Sequence, residues 1–374
     1  MTDTIYPIFL ACLPGQERAL LTEARALGLT DPVEAAGGVE TSGTWTDIWR
    51  ANLWLRVASR VLVRIGGFPA VHLAQLDKRA HKFPWGDWLR ADVPVRVEAT
   101  SFRSKMYHEK AVQQRVATAI TETLGATVSA DALLRVLVRV DGDMVTFSLD
   151  TSGEGLHKRG TKQAVGKAPL RETMAAAFLR EMGFDGSQPV LDPMCGSGTF
   201  VLEAAEIAAG LAPGRGRAFA FETLSCFDAR AYRALCATLP QAGAAPAPLR
   251  FWGFDRDQGA ITGARANAAR AGLQDWTSFT CQPISALERP DGPPGFIMVN
   301  PPYGGRIGNP KQLYALYGAL GQVLRERFQG WRLGMVTSEP RLAHTTGLKL
   351  LASPPLPHGG LKVQFFRSAP IQGV

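Results

Sequence analysis

An asparagine, two prolines and a tyrosine, Asn300-Pro301-Pro302-Tyr303, follow the apolar run 296–299. Two consecutive prolines cannot continue a sheet ladder, and they stiffen the turn they occupy. Such a turn holds the Asn300 side-chain carbonyl and the Pro301 backbone carbonyl as fixed acceptors. A planar exocyclic amine would donate one hydrogen to each, leaving its nitrogen lone pair aimed at an electrophile. Tyr303 offers a ring face to a base, and such stacking is worth ~1–3 kcal/mol per base. A rigid surface turn is the plain alternative, and the place of the string after an apolar strand makes that a minority reading.

A second string, Asp192-Pro193-Met194-Cys195-Gly196-Ser197-Gly198-Thr199, ends a short apolar run in an acid and then turns through two glycines. Gly196 and Gly198 allow a ligand to approach the backbone closely. Thr199 opens a helix, whose first N–H groups and positive dipole end suit a ligand carboxylate. No Gly-Lys-Ser/Thr follows, so the turn is not a P-loop, and the third glycine of the dinucleotide fingerprint is missing. Asp255 closes the next strand, where an acid reaches ribose hydroxyls in a doubly wound fold, with Asp257 a weaker candidate. Cys195 is a possible nucleophile by type, but inside this turn a small side chain is a packing requirement. His157 is better placed for a structural hydrogen bond than for catalysis.

These strings need strands that end together. In the second half, predicted strands at 189–192, 249–255, 278–282, 296–300 and 333–337 alternate with helices at 199–209, 260–271 and 313–328. That alternation makes a parallel, doubly wound sheet with its ligands at the carboxyl ends of the strands. The first half reads as α+β. Strands are expected at 5–12, 60–65 and 93–99, helices at 16–27, 48–59 and 110–124, and a hairpin over 133–149 turning at Asp141-Gly142. Between the halves, 155–171 is glycine-rich and carries Lys158, Arg159, Lys162, Lys167 and Arg171 without an acid, the pattern of a basic, extended connector. The Pro/Gly/Ala-rich loops 210–217 and 239–248 flank a helical stretch at 227–238, an insertion of no evident purpose.

The 374 residues carry 41 Lys plus Arg against 33 Asp plus Glu, a formal net charge of +8, with 46% hydrophobic residues. This is a globular chain of two to three domains, not a disordered one. The surplus of cations suggests a polyanionic partner, and the excess of Arg over Lys equally fits a GC-rich genome. The five cysteines form no C-x-x-C pair, which speaks against a disulfide framework and a cysteine zinc site, so no metal is expected. No leader and no run of about 18 apolar residues is evident, so the expectation is a cytoplasmic protein with no membrane contact.

With Asp192–Thr199, the run Phe251-Trp252-Gly253-Phe254-Asp255 and Asn300–Tyr303 in that order, the sequence resembles the class I S-adenosylmethionine-dependent methyltransferases. Leu156-His157-Lys158-Arg159-Gly160, Ala168-Pro169-Leu170-Arg171-Glu172-Thr173, Ala51-Asn52-Leu53-Trp54-Leu55-Arg56 and Leu356-Pro357-His358-Gly359-Gly360 extend the likeness to nearly the whole chain. They resemble the bacterial THUMP-domain RNA guanine-N2 methyltransferases of the 23S ribosomal RNA type. The implied fold is α/β, a Rossmann-like methyltransferase domain (156–374) preceded by an α+β ferredoxin-like piece (1–62) and a THUMP RNA-binding domain (63–155).

The resemblance implies S-adenosyl-L-methionine as cofactor. Asp192, Pro193, Cys195, Gly196, Ser197, Gly198 and Thr199 would form its loop, Asp255 would hold its ribose, and Pro169 and Leu170 would close over its methionine end. Asn300, Pro301, Pro302 and Tyr303 would hold the target guanine. Arg103, Lys105, Lys110, Lys158, Arg159 and Lys162 would contact RNA, each with a solvated surface charge as the bland alternative. The expected partner is 23S rRNA or a pre-ribosomal particle, with tRNA possible, and the expected state is a monomer. Two residues depart from the pattern. Pro283 stands where an acid usually meets the adenine amine, which leaves adenine to backbone or apolar contacts, and Thr161 stands where the family has an aromatic residue. The rival readings are a tRNA guanine-N2 enzyme, a DNA adenine-N6 or protein glutamine methyltransferase, and a non-catalytic RNA-binding assembly factor.

Overall fold

A computed structural model describes residues 4–164, 170–241, 250–303 and 310–373. The chain divides into two compact units. Unit 1 takes the residues up to Cys12, Leu20–Leu156 and Arg217–Thr238, and unit 2 takes Leu13–Ala19, His157–Gly216 and the described residues from Leu239 onward.

Unit 1 is built on strands β1 (Tyr6–Ala11), β2 (Thr30–Ala35), β3 (Gly38–Gly43), β4 (Arg60–Pro69), β5 (Val95–Phe102), β6 (Leu134–Asp141) and β7 (Met144–Asp150). They form one sheet in the order β2-β3-β1-β4-β7-β6-β5. Period two is clear in β6, where Leu134, Val136, Val138 and Val140 are buried and the residues between them are not. The β6–β7 hairpin turns at Asp141-Gly142, with Gly142 at φ +59°. Helices α1 (Glu17–Ala26), α2 (Trp45–Trp54), α3 (Leu73–Ala80) and α4 (Glu109–Leu124) accompany the sheet. Helix α4 buries Val112, Val116, Ala119 and Ile120, a 3.6-residue stripe, and stops at Gly125 at φ +78°. Helix α2 starts three residues before the expected 48, because Thr44 and Asp47 form a capping box there.

Asn52 belongs to a buried network. Its Nδ2 donates to the Ile48 carbonyl (3.0 Å) and to Thr151 Oγ1 (2.9 Å), and its Oδ1 accepts from Ser152 Oγ (2.7 Å). Beside it the buried Asp150 pairs with Arg60. The inserted stretch that looked purposeless packs into this unit. Phe221 donates its N–H to the Thr151 carbonyl (3.0 Å), and Arg217 donates to the carbonyls of Ser152, Glu154 and Gly155. Phe221, Phe227 and Tyr232, the last on helix α7 (Ala229–Ala237), gather around Trp49 with ring centroids 5.6–6.3 Å from it.

Unit 2 is doubly wound. Strands β8 (Val190–Asp192), β9 (Phe251–Asp255), β10 (Thr277–Cys281), β11 (Phe296–Val299) and β12 (Arg332–Thr337) run parallel in the order β10-β9-β8-β11-β12. Strands β13 (Leu350–Ala352) and β15 (Leu361–Ser368) extend the sheet antiparallel, and β14 (Leu356–His358) pairs with β15. Helices α5 (Glu172–Glu181), α6 (Thr199–Ala208), α8 (Gln258–Ala271), α9 (Pro310–Arg327) and α10 (Pro340–Thr345) complete it. The central strand β11 is apolar throughout because both its faces are covered. Val190, Phe296 and Met298 enter one buried cluster, and their neighbours Leu191, Ile297 and Val299 enter the other. The strand order reverses between β8 and β11, which is the switch point where open α/β sheets bind ligands.

Candidate functional site

The register pairs Ile297 of β11 with Leu191 of β8, so the turns that follow these neighbouring strands open at the same end of the sheet. These are the glycine turn 193–198 and the turn 300–303. Asp192 is buried, and its Oδ1 accepts from the Met194 N–H (3.0 Å). Burial pushes its carboxyl well above the ordinary range, and the nearby Asp255 carboxylate adds to the shift. Asp255 stands at the end of β9. Its Oδ2 accepts from the Gly196 N–H (3.0 Å) and its Oδ1 from the Asp257 N–H (3.0 Å). One backbone donor per oxygen leaves lone pairs on each for hydroxyl donors.

The turn is fitted closely to the strand beneath it. Cys195 donates its N–H to the Phe254 carbonyl (2.8 Å), and its side chain is buried. A Cβ on Gly253 would lie 2.5 Å from the Phe279 ring and 3.1 Å from Cys195 Sγ, and one on Gly198 would lie 3.1 Å from the same ring. Gly253 and Gly198 are therefore packing glycines. Gly196 differs, since a Cβ there would meet nothing within 4 Å. The open side of the turn is at Gly196, where a ligand has room. Gly198 (φ +83°) is the N-cap of α6, and no side chain caps the helix. Burial raises the Cys195 thiol well above its usual value, which keeps it an inert thiol rather than a nucleophile. Pro193 and Thr199 are buried, and Ser197 is half-buried.

In the second turn Pro301 is buried and Asn300 and Pro302 are half-buried. The Pro302 carbonyl lies 3.3 Å from the Tyr317 hydroxyl of α9, which also lies 3.3 Å from Thr337 Oγ1 at the end of β12. Helix α9 thus meets the turn through Tyr317, beside the end of β12. Burial holds the Tyr317 hydroxyl above its ordinary pKa, so it stays a donor. Tyr303 is only 5% exposed and lies in one apolar cluster with Leu170, Met174 and Leu356. At that exposure the open ring face expected of it is not presented here.

The expected basic connector also reads differently in three dimensions. Arg159 is buried and pairs with buried Glu203 of α6 (3.3 Å). Lys162 Nζ lies 2.9 Å from Glu172 Oε1, donates to Thr199 Oγ1 (2.8 Å) and reaches the Leu170 carbonyl at 3.4 Å. These two cations were expected on RNA phosphates. They are instead interior ion-pair members, because acids on α5 and α6 draw them in. Lys158 is exposed. Pro169 lies outside the described residues, and Leu170 is buried beside α5. In unit 1, Arg103, Lys105 and Lys110 are all exposed, on the loop after β5 and the first turn of α4.

Asn267 escaped the sequence reading. It is buried on α8. Its Nδ2 donates to the carbonyls of Ala164 (3.0 Å) and Ser197 (3.1 Å), and its Oδ1 accepts from the N–H groups of Gln163 (3.2 Å) and Ala164 (3.1 Å). One amide thereby ties the segment after Lys162 to the glycine turn. The available signal was a lone asparagine on the buried face of an alanine-rich helix. Pro283 is exposed and leads a single 3-10 turn, Ile284–Ala286, while Gln282 beside it donates its N–H to the Asp255 carbonyl (2.9 Å). Among the described residues, no three His, Cys, Asp or Glu side chains gather as a metal site, and no helix is long and apolar enough to cross a membrane.

Three family models match the chain. They are the RlmL ferredoxin-like domain over residues 7–62, the THUMP domain over 70–150, and the RMKL-like methyltransferase domain over 159–356. The chain is 35% identical over 342 residues to the ribosomal RNA large subunit methyltransferase K/L of Aliivibrio fischeri (strain MJ11), covering 88% of this chain and 48% of that protein. To the protein of the same name from Pseudomonas paraeruginosa (strain DSM 24068 / PA7) it is 35% identical over 363 residues, covering 92% and 50%. It thus spans about half the length of these curated relatives. Among solved structures it is similar to SMU.472 in complex with SAH, with a TM-score of 0.85 and 27% identity over 100% of this chain and 99% of that one. It is also similar to a protein of Listeria monocytogenes str. 4b F2365 described as a predicted N6-adenine-specific DNA methylase, with a TM-score of 0.84 and 31% identity over 98% and 97%. TrmN from Thermus thermophilus shares the fold at a TM-score of 0.71 and 22% identity, over 98% of this chain and 100% of that one.

Proposed function

The chain belongs to the family of the RMKL-like methyltransferase domain, and on that premise we propose that it transfers a methyl group from S-adenosyl-L-methionine to the exocyclic N2 amine of a guanine in RNA. The substrate in this reading is 23S ribosomal RNA or an assembling ribosomal particle, met in the cytoplasm by a monomer. The observation that carries the proposal is the pair of turns at the switch point. One is an open glycine turn over an uncapped helix start. The other is the proline-stiffened turn on the adjacent strand, which begins at Asn300 and Pro301.

The residues fit the cofactor. The space at Gly196, the free lone pairs of Asp255 and the uncapped start of α6 are what a sulfonium amino acid joined to a nucleoside requires. Gly196, Ser197, Gly198 and Thr199 would hold its amino-acid end and Asp255 its ribose, with Leu170 lining the methionine side. Bound there, S-adenosyl-L-methionine supplies an electrophilic methyl group.

The chain's own residues then act on the acceptor. A guanine amine is a poor nucleophile, because its lone pair is delocalised into the ring. The Asn300 side-chain oxygen and the Pro301 carbonyl accept its two hydrogens, orient the nitrogen, and offset the positive charge that grows on it as the new bond forms. No general base is needed, since the proton leaves afterwards to water. A guanine within a helix is out of reach, so the target must be unpaired or flipped.

The Listeria protein's description favours a second reading, an adenine-N6 enzyme on DNA, since the same corner suits either amine. The matched THUMP and RlmL ferredoxin-like domains support RNA instead. Incubation with methyl-labelled cofactor, total RNA from cells lacking the protein, and unmethylated DNA separates the two. The proposal expects N2-methylguanosine in digested RNA. Label only in DNA, or no label with no calorimetric binding of the cofactor, would reject it.

A further inference from the structure

Strand β5 lies at an edge of the unit 1 sheet and ends in an aromatic residue left in water. Phe102 is 50% exposed, and Tyr107, five residues on, is 69% exposed. Leaving two rings in water forgoes the gain from burying them. The loop that carries them is held in place. Met106 is buried and donates its N–H to Ser104 Oγ (3.1 Å). Glu109 Oε1 accepts from the Ser101 N–H (3.1 Å), and the Phe102 carbonyl accepts from the Gly142 N–H (3.0 Å). Arg103 sits between at φ +48°, a left-handed conformation that among the described non-glycine residues only Asp31 shares. Such strain persists where the surroundings over-determine it, and it clusters at functional sites.

The chemistry around the rings is cationic. The Arg139 guanidinium lies 4.7 Å from the centroid of the Phe102 ring, and the rings of Tyr107 and His108 lie 4.0 Å apart. Arg103, Lys105 and Lys110 are exposed. Of the nearby acids, Glu109 is engaged with Ser101, and Asp141 lies 2.8 Å from Arg139. Flat apolar faces set among cations match a chain whose flat bases alternate with phosphates. A duplex keeps its base faces inside the stack and would use the cations alone.

We infer that Phe102 and Tyr107 are stacking platforms for bases of an unpaired RNA segment whose phosphates are held by Arg103 and Lys105. This rests on the reading of the chain as one that acts on RNA, and it adds that the substrate is gripped through a single-stranded stretch as well as at its target base.

Fluorescence anisotropy on the full chain tests it, with a labelled unstructured RNA dodecamer and an RNA hairpin duplex of similar charge. Loss of one stacked base weakens binding by at least about fivefold. Phe102→Ala and Tyr107→Ala should each weaken the dodecamer to that extent and the double variant further, with hairpin affinity within about twofold of the parent. Phe102→Trp should restore the dodecamer. If Phe102→Ala melts early, Phe102→Leu keeps the bulk and removes the ring. Unchanged dodecamer binding in the double variant overturns the inference, and so does equal weakening of both RNAs. If the parent binds neither RNA, the RNA reading falls with it. If the parent binds and the ringless variants bind equally well, this inference alone falls.

Discussion

Replacing Arg159 by Met separates two accounts of one residue. Its spacing in a basic stretch suggests a phosphate contact, whereas the structure buries it against Glu203, with side chains 4% and 2% exposed. A cation removed from a surface costs little stability. A cation removed from a buried pair leaves the acid's charge less compensated, at a cost of about 3–5 kcal/mol. In a unit of this size each kcal/mol moves the melting temperature by about 2–4 °C, so a fall of roughly 6–20 °C is expected. Thermal melting followed by near-UV circular dichroism reads this out. Glu203→Gln should also destabilise, and the double variant Arg159→Met/Glu203→Leu should recover most of the loss, since an apolar pair of similar volume often replaces a buried ion pair without cost. The reasoning is refuted if Arg159→Met melts with the parent while RNA affinity falls and the salt dependence becomes shallower by about one ion.

Gly253→Ala should push the Phe279 ring and Cys195 away from β9, costing about 1–3 kcal/mol and weakening the cofactor in calorimetry, while unchanged cofactor affinity would detach this packing from the turn's shape. Asp192→Asn should change how stability depends on pH. Burial raises the Asp192 carboxyl above 3.8, so the folded state holds this proton more tightly than the unfolded chain, and the associated stability is lost as pH rises from about 4 through the folded value. Melting without cofactor should therefore find the variant and the parent similar near pH 4 and the variant relatively more stable at pH 7, whereas a constant difference across that range would contradict the assignment. Phe221→Ala should cost about 3–5 kcal/mol and lower hydrogen-exchange protection in β4, β6 and β7, and protection lost instead in β8 and β11 would show that the insertion does not stabilise unit 1.

How legible all this was depends on which interactions are local. Strands β8, β9 and β11 of unit 2 are short apolar runs, the first two ending in Asp192 and Asp255 and the third followed by Asn300, so their type and end points stand in the sequence. Strand β2 does not, since it contains Pro32, buries none of its residues, and is held by its ladder to β3. The insertion gave only a helical period, because the partner of Phe221, Phe227 and Tyr232 is Trp49, far away in sequence. Charge misled for the same reason. Arg159 and Lys162 look like surface cations until Glu203 and Glu172 arrive from separate helices. Tyr303 was legible as part of a stiff turn, but whether its ring faces outward depends on tertiary burial, which draws it into one apolar cluster with residues far away in sequence.

The central claim is that the Asn300 carboxamide, on a fixed turn, holds an amine for transfer. Single-turnover methylation of RNA by Asn300→Ala, measured beside calorimetric titration of S-adenosyl-L-methionine, tests it most directly. Losing one preorganised polar contact to developing charge costs roughly 100- to 1000-fold in rate. The account predicts a loss of that order, with cofactor affinity within about threefold of the parent. Methyl transfer at a comparable rate in the variant would contradict it.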